Sequence, residues 1–284
     1  MMAVLRDRFL TNAWRWFVYG AMAFFVVNVF LIIASVVVSS LGTSWFTGWL
    51  PEGYTAKWYG AAWKEFQLYY VLIATVQITL AVVAISLMLG VPAAYVLARI
   101  DFRGKRLVLL TFLVPLLVPP ITYGIPMATV LYQAGLGGTI WGVILANLVP
   151  SVPFVVLVMT PFIEQIDPRL ESAARVFGAS AFTTFLRILV PLLTPGILAA
   201  GILVLIRTIS MFELTFLTAG PDSQTLIVAL YYSVFAAGVR AQQSIDAMAV
   251  MYMVTTMTGL LIALRFVDPS QLVGRVDSKK ASAT

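Results

Sequence analysis

Arg207 lies inside a long apolar run, and Glu213 follows it six residues later. A cation at the centre of a bilayer costs about 2.5–3.5 kcal/mol on insertion scales, and less near an interface. A spacing of six does not put two residues on one helical face, so the pair can meet directly only where the helix breaks near Ser210. Arg207 therefore either faces a polar cavity, with Thr208 and Ser210 beside it, or snorkels towards the outer headgroups. Little else in the chain can do chemistry. With no Cys and no His, thiol nucleophiles, disulfides, Cys or His metal sites and imidazole acid–base catalysis are excluded. The spans carry no clustered acidic pair, which argues against a membrane-embedded hydrolase. Gly104-Lys105 lacks the upstream Gly and downstream Ser/Thr of a phosphate loop and reads as a basic inner loop. The sequence predicts neither a metal site nor a catalytic residue.

A second constellation is the stretch LESAARVFGAS, Leu170 to Ser180, which carries charge and small residues between two apolar runs. Asp167-Pro168 is a helix start, with Pro at the first helical position. Leu170, Ala174 and Phe177 fall at i, i+4 and i+7 and so share a helical face. Arg169, Ser172 and Arg175 lie mostly elsewhere. Gly178 permits the turn into a second short helix, whose apolar face runs through Phe182, Phe185 and Leu186 until Pro191 opens the next span. The pattern reads as a short helix–turn–helix at the membrane surface with an exposed aromatic. A solvated connecting loop, or a helix lying in the headgroups, would share its amphipathicity.

The elements that position these residues follow from composition. The chain has 284 residues, 61% of them hydrophobic and 11% charged, against roughly 25% charged in soluble domains. Its mean hydropathy is +0.97. Six runs, roughly 16–38, 69–98, 107–132, 139–163, 192–214 and 245–267, each exceed the ~20 residues that cross a hydrocarbon core. Lipid leaves backbone groups no partner, so the expected fold is an all-α membrane protein of six transmembrane helices. The first run is too long for a signal-peptide core of ~7–15 residues and is read as a retained helix. Of eighteen Lys and Arg, only Lys57, Lys64 and Arg240 fall in the outer segments when the N-terminus is placed in the cytoplasm, and Arg207 falls within a span. By the positive-inside rule both termini and the 164–191 segment are then cytoplasmic. The net charge of +6 is accounted for by this asymmetry, so lipid rather than nucleic acid is the expected partner surface.

Prolines crowd the third and fourth runs. They either reflect ordinary kinked packing or bend PPITYGIP and NLVPSVP around a central passage. Thr122, Tyr123, Asn147 and Ser151 are then candidate lining, together with Arg207, Ser210 and Glu213. The Trp- and Tyr-rich segment 40–68 suits the outer interface. Gly220-Pro221-Asp222 marks a turn, after which TLIVALYYSVF is too short to cross, so it re-enters or lies on the outer surface. The expected organisation is an N-terminal part, 1–68, a core of five helices, 69–267, holding the loop at 164–191, and a loose polar tail, 268–284.

The spacing in 164–191 resembles the EAA loop of permease subunits from binding-protein-dependent ABC importers. That pattern is Glu-Ala-Ala, three residues, Gly, nine residues, Ile, one residue, Leu-Pro. Ala173, Ala174, Gly178, Ile188 and Pro191 fall in register, and Val190 replaces Leu. Ser172 stands at the glutamate position, with Glu171 one place early. The resemblance runs from about residue 70 to 267 and includes LGVPAAYVLARIDFRGKR at the end of the second span. It implies a type I ABC importer permease fold in a bacterial inner membrane. It also implies a coupling helix, drawn from Arg169, Glu171, Ser172, Ala173, Ala174, Phe177, Gly178, Ile188 and Pro191, that docks on a cytoplasmic ATPase dimer. ATP and Mg would then be bound by the partner, no cofactor by this chain, and this chain would be a non-catalytic half-pore. A second permease subunit, identical or different, and a periplasmic binding protein complete the expected assembly. The outer loop resembles that of sugar-type permeases, whereas Val176-Phe177 before Gly178 looks more like the polyamine and iron-type branch. The solute is thus expected to be small and polar, sugar or polyamine-like. A secondary transporter or channel working without ATP is the alternative.

Overall fold

The computed structural model describes residues 2–45, 48, 50–235 and 241–265. The expected tail 268–284, the last residues of the sixth run and Arg240 lie outside them. Almost everything described is helix: α1 Met2–Leu41, α2 Lys57–Glu65, α3 Leu68–Arg99, α4 Lys105–Leu117, α5 Pro120–Gln133, α6 Ile140–Glu164, α7 Arg169–Val176, α8 Ala181–Thr184, α9 Val190–Ile209, α10 Glu213–Thr218, α11 Leu226–Phe235 and α12 Gln242–Arg265. Among the described residues, five helices are long and apolar enough to cross a membrane, or six if α4 and α5 are counted as one broken span.

The chain divides into two compact units. The larger comprises 66–235 and 252–284, and α3, α6 and α9 form its core. Ile78, Val82, Val143, Val155, Met159, Ile163, Leu189, Leu193 and Val204 are buried there. Lipid is as apolar as these side chains, so close van der Waals packing rather than water exclusion holds such helices together, and small residues allow the approach. Ala74, Gly90 and Ala94 on α3, Ala146 on α6, and Ala199, Ala200 and Gly201 on α9 are all buried. Gly90 is a point of close approach between α3 and α6: a Cβ there would lie 2.6 Å from Val155 Cγ1. The smaller unit comprises 1–65 and 236–251. In it the aromatic-rich segment folds against the end of α1, with Trp58 Nε1 donating to the Gly42 carbonyl at 2.6 Å and the Ser40 and Tyr59 hydroxyls 2.8 Å apart. Ser39 donates to Asp246 at 2.5 Å.

Two elements differ from the expected runs. The third run is not one helix: α4 and α5 meet at 100°. Val118 is extended, and Pro119 and Pro120 follow it. A residue before proline is driven out of the helical region, so the PP pair breaks the span. The fifth span begins at Ala181 and runs 29 residues to Ile209, so Pro191 lies inside it rather than opening it. The Ser180 hydroxyl accepts from the Thr183 N–H at 3.2 Å and caps the earlier start. The chain passes Pro191 through a π turn at Phe185–Leu189, which gives room where the proline ring would meet the carbonyl one turn back. As its length requires, α11 does not cross. Its first amide, Leu226 N, donates to Thr75 Oγ1 of α3 at 2.9 Å.

Candidate functional site

α7 is a two-turn helix closed at both ends. The Asp167 carboxylate accepts from Arg169 N at 2.9 Å. At the other end Gly178 has φ +82°, Gly178 N donates to the Arg175 carbonyl at 2.9 Å, and Ala179 N donates to Ala174 at 3.0 Å. This is a Schellman closure, which favours glycine at its left-handed position. The sequence pattern placed Leu170, Ala174 and Phe177 on one apolar face. In the fold Ala174 faces inward together with Glu171, Leu170 and Val176 are exposed, and Phe177 is the exposed aromatic that the sequence led one to expect. Phe177 is 90% exposed, and Phe182 on α8 is exposed as well. Arg169, Ser172, Ala173 and Arg175 are also exposed. Ile188 and Pro191 lie on the following span, half-buried and exposed respectively.

Glu171 is not beside the exposed aromatic. It is 4% exposed and held by two donors. Tyr95 OH donates to its Oε2 at 2.7 Å and Arg99 Nε to its Oε1 at 2.9 Å. The same guanidinium donates from Nη2 to the Ile166 carbonyl at 2.5 Å. One cation thus ties together the end of α3, the exit of α6 and the inward face of α7. Sequence reading counted Arg99 only as an inner-loop charge and did not single out Tyr95. Their i, i+4 spacing, which puts both on one face of α3, was the available signal.

The path candidates separate into buried and open ones. Asn147 and Ser151, one turn apart on α6, are buried. Asn147 Nδ2 donates to the Val143 carbonyl at 2.9 Å and to Thr215 Oγ1 of α10 at 3.3 Å. It is a polar pin between two helices, and Asn147→Leu should lower stability by about 1–3 kcal/mol by leaving Thr215 short of a buried partner. Thermal unfolding in detergent, compared with Thr215→Val in the same background, checks this. Thr122 is exposed. The Tyr123 hydroxyl is buried with no hydrogen-bond partner.

The helix breaks at Ser210, the place where a direct Arg207–Glu213 pair would have needed it to. α9 ends at Ile209, Ser210 caps it, and α10 begins at Glu213. Yet the two charges do not pair. The Arg207 guanidinium lies over the Phe154 ring, 5.3 Å from its centroid, and the ion pairs among the described residues are Arg99–Glu171 and Lys105–Asp101. At 1.5 Å per residue, Phe154 is about 15 Å from the α7 end of α6, so the Arg207 guanidinium lies near the middle of α6. The α4–α5 bend is deep, since the thirteen residues of α4 span about 20 Å.

These features define a class: a multi-pass helical membrane protein with broken spans and a short capped helix at one end, the build of a transport component. The chain belongs to the family of binding-protein-dependent transport system inner membrane components, whose model matches residues 86–272. It is 33% identical over 199 residues to a molybdate/tungstate transport system permease protein of Pyrococcus abyssi, covering 70% of this chain and 75% of the relative. It is 24% identical over 276 residues to the spermidine/putrescine transport system permease protein of Escherichia coli, covering 97% and 96%. Its fold is similar to that of a bacterial ABC transporter involved in the import of the acidic polysaccharide alginate, with TM-score 0.71 at 18% identity, covering 88% of this chain and 97% of the other. The chain is an ABC importer permease.

Proposed function

We propose that this permease forms half of a translocation pore in a bacterial inner membrane, with both termini in the cytoplasm and 69–267 as its core. It couples ATP hydrolysis by a separate ATPase dimer to uptake of a small polar solute delivered by a periplasmic binding protein. The second half-pore is another permease subunit. ATP and Mg belong to the ATPase, and this chain contributes no catalytic group. The observation that carries the reading is α7: rigidly capped, anchored through buried Glu171, and carrying Phe177 almost fully in the open. A bare aromatic on a rigid two-turn helix has the form of a docking anchor, and its anchoring suits rigid-body transmission. The relatives' names span an oxyanion and polyamines, which supports a small polar solute.

The chain has no cysteine, so a single engineered thiol is unique. Val176→Cys, carried by the assembled importer, should cross-link to an ATP-hydrolysing subunit, and the cross-link yield should change between nucleotide-free and ATP-bound states. A purified importer with no ATPase touching residues 168–187 would overturn the proposal.

A further inference from the structure

We propose that the break between α9 and α10 recognises a small solute bearing an anionic group with a hydrogen-bond donor a few atoms away, an amino acid or a hydroxy acid by class. This rests on the permease reading and deepens it. Arg207 has no hydrogen bond or ion pair among the described residues, and its flat face is taken by Phe154. Its N–H edge is therefore left for an external acceptor, the planar geometry that suits a carboxylate or oxyanion. Glu213 opens α10 and is likewise unpaired. Tyr123 packs against the cluster that includes Met211 and Leu214, which brings its ring to the break. The Tyr123 hydroxyl and the Thr208 hydroxyl are buried without partners.

Four polar groups left unsatisfied around one break are costly in a low-dielectric layer unless something completes them. Interrupted backbone at this depth is tolerated where it is enclosed by protein or lines a cavity. A polycation would be repelled by Arg207, and a plain anion by Glu213. A solute presenting an acceptor to Arg207 and a donor to Glu213 satisfies both charges without either crossing to the other.

The test uses the assembled importer in detergent, with its thermal midpoint read at millimolar γ-aminobutyrate, gluconate, maltose or spermidine. We expect γ-aminobutyrate or gluconate to raise the midpoint by a few degrees in a concentration-dependent way, and maltose and spermidine to leave it unmoved. Arg207→Met should abolish the shift and Arg207→Lys should keep part of it, which separates loss of the cation from misfolding. Glu213→Gln distinguishes the two sources of donor: an ammonium loses its partner, whereas a hydroxyl can still donate to the amide oxygen. Stabilisation by spermidine or maltose alone, stabilisation by no probe, or an acid-induced shift that survives in Arg207→Met would each overturn the site. The position-176 cross-link is read in parallel. A lost solute effect with that cross-link intact removes this site and leaves the permease reading standing.

Discussion

Glu171→Ala is expected to destabilise the protein by about 3–5 kcal/mol, the range for removing one partner of a buried ion pair. Arg99 would keep its bond to the Ile166 carbonyl but lose its counter-charge, and Tyr95 would lose its acceptor. The guanidinium can relax towards water along its aliphatic stem, which favours the lower end of the range. Transport should fall further than stability does, because Glu171 is the buried polar tie between α7 and α3. Thermal unfolding of the single variants and of Arg99→Met/Glu171→Met provides the check. The double variant should be more stable than additivity predicts, with a coupling of about 1–3 kcal/mol. Additive effects, or a Glu171→Ala loss below about 1 kcal/mol, would mean that the pair is not the clamp described. Tyr95→Phe keeps the ion pair and should cost only about 0.5–1.5 kcal/mol.

Phe177→Glu should do the opposite. The ring is 90% exposed, so folding stability should change by no more than about 0.5 kcal/mol. Association with the ATPase should weaken by about 2–4 kcal/mol, the range for a central aromatic anchor, or roughly 30- to 700-fold at 1.4 kcal/mol per decade. Co-purification of the two subunits and uptake in vesicles measure the effect, with detergent unfolding as the control. A variant that binds the ATPase normally would remove Phe177 from the interface. Taken together, the two substitutions separate the roles within one helix: the buried carboxylate holds α7 to the transport core, and the exposed ring presents it outwards.

Much of this was legible in the sequence because it depends on local physics. Runs of apolar residues longer than a bilayer's core can only be helices; six were expected, and the described residues hold five, or six with the broken α4–α5 pair counted as one span. The spacing of Ala173, Ala174 and Gly178 marked the short helix and its turn, since a Schellman closure favours a residue tolerant of positive φ. The PP pair at Pro119-Pro120 announced a distortion; the six-residue gap between Arg207 and Glu213 named Ser210 only as the place a break would have to fall for the two to pair, and α9 ends there without that pair.

What only the tertiary structure decided was direction and partnership. The i, i+4, i+7 pattern of α7 gave Leu170, Ala174 and Phe177 one face and an exposed aromatic, but it could not say that Glu171 would be the residue turned inwards beside Ala174. A carboxylate met by Arg99 and Tyr95 can be buried at little penalty, whereas the apolar ring remains free for another surface. Those two residues are more than seventy positions away, beyond any periodicity. Likewise, no spacing rule could say that Arg207 would lie on Phe154 and leave Glu213 unpaired. Helical periodicity is a property of neighbouring residues. Which face is buried depends on which distant helix supplies the complementary group, and that exists only once α3, α6 and α9 have packed.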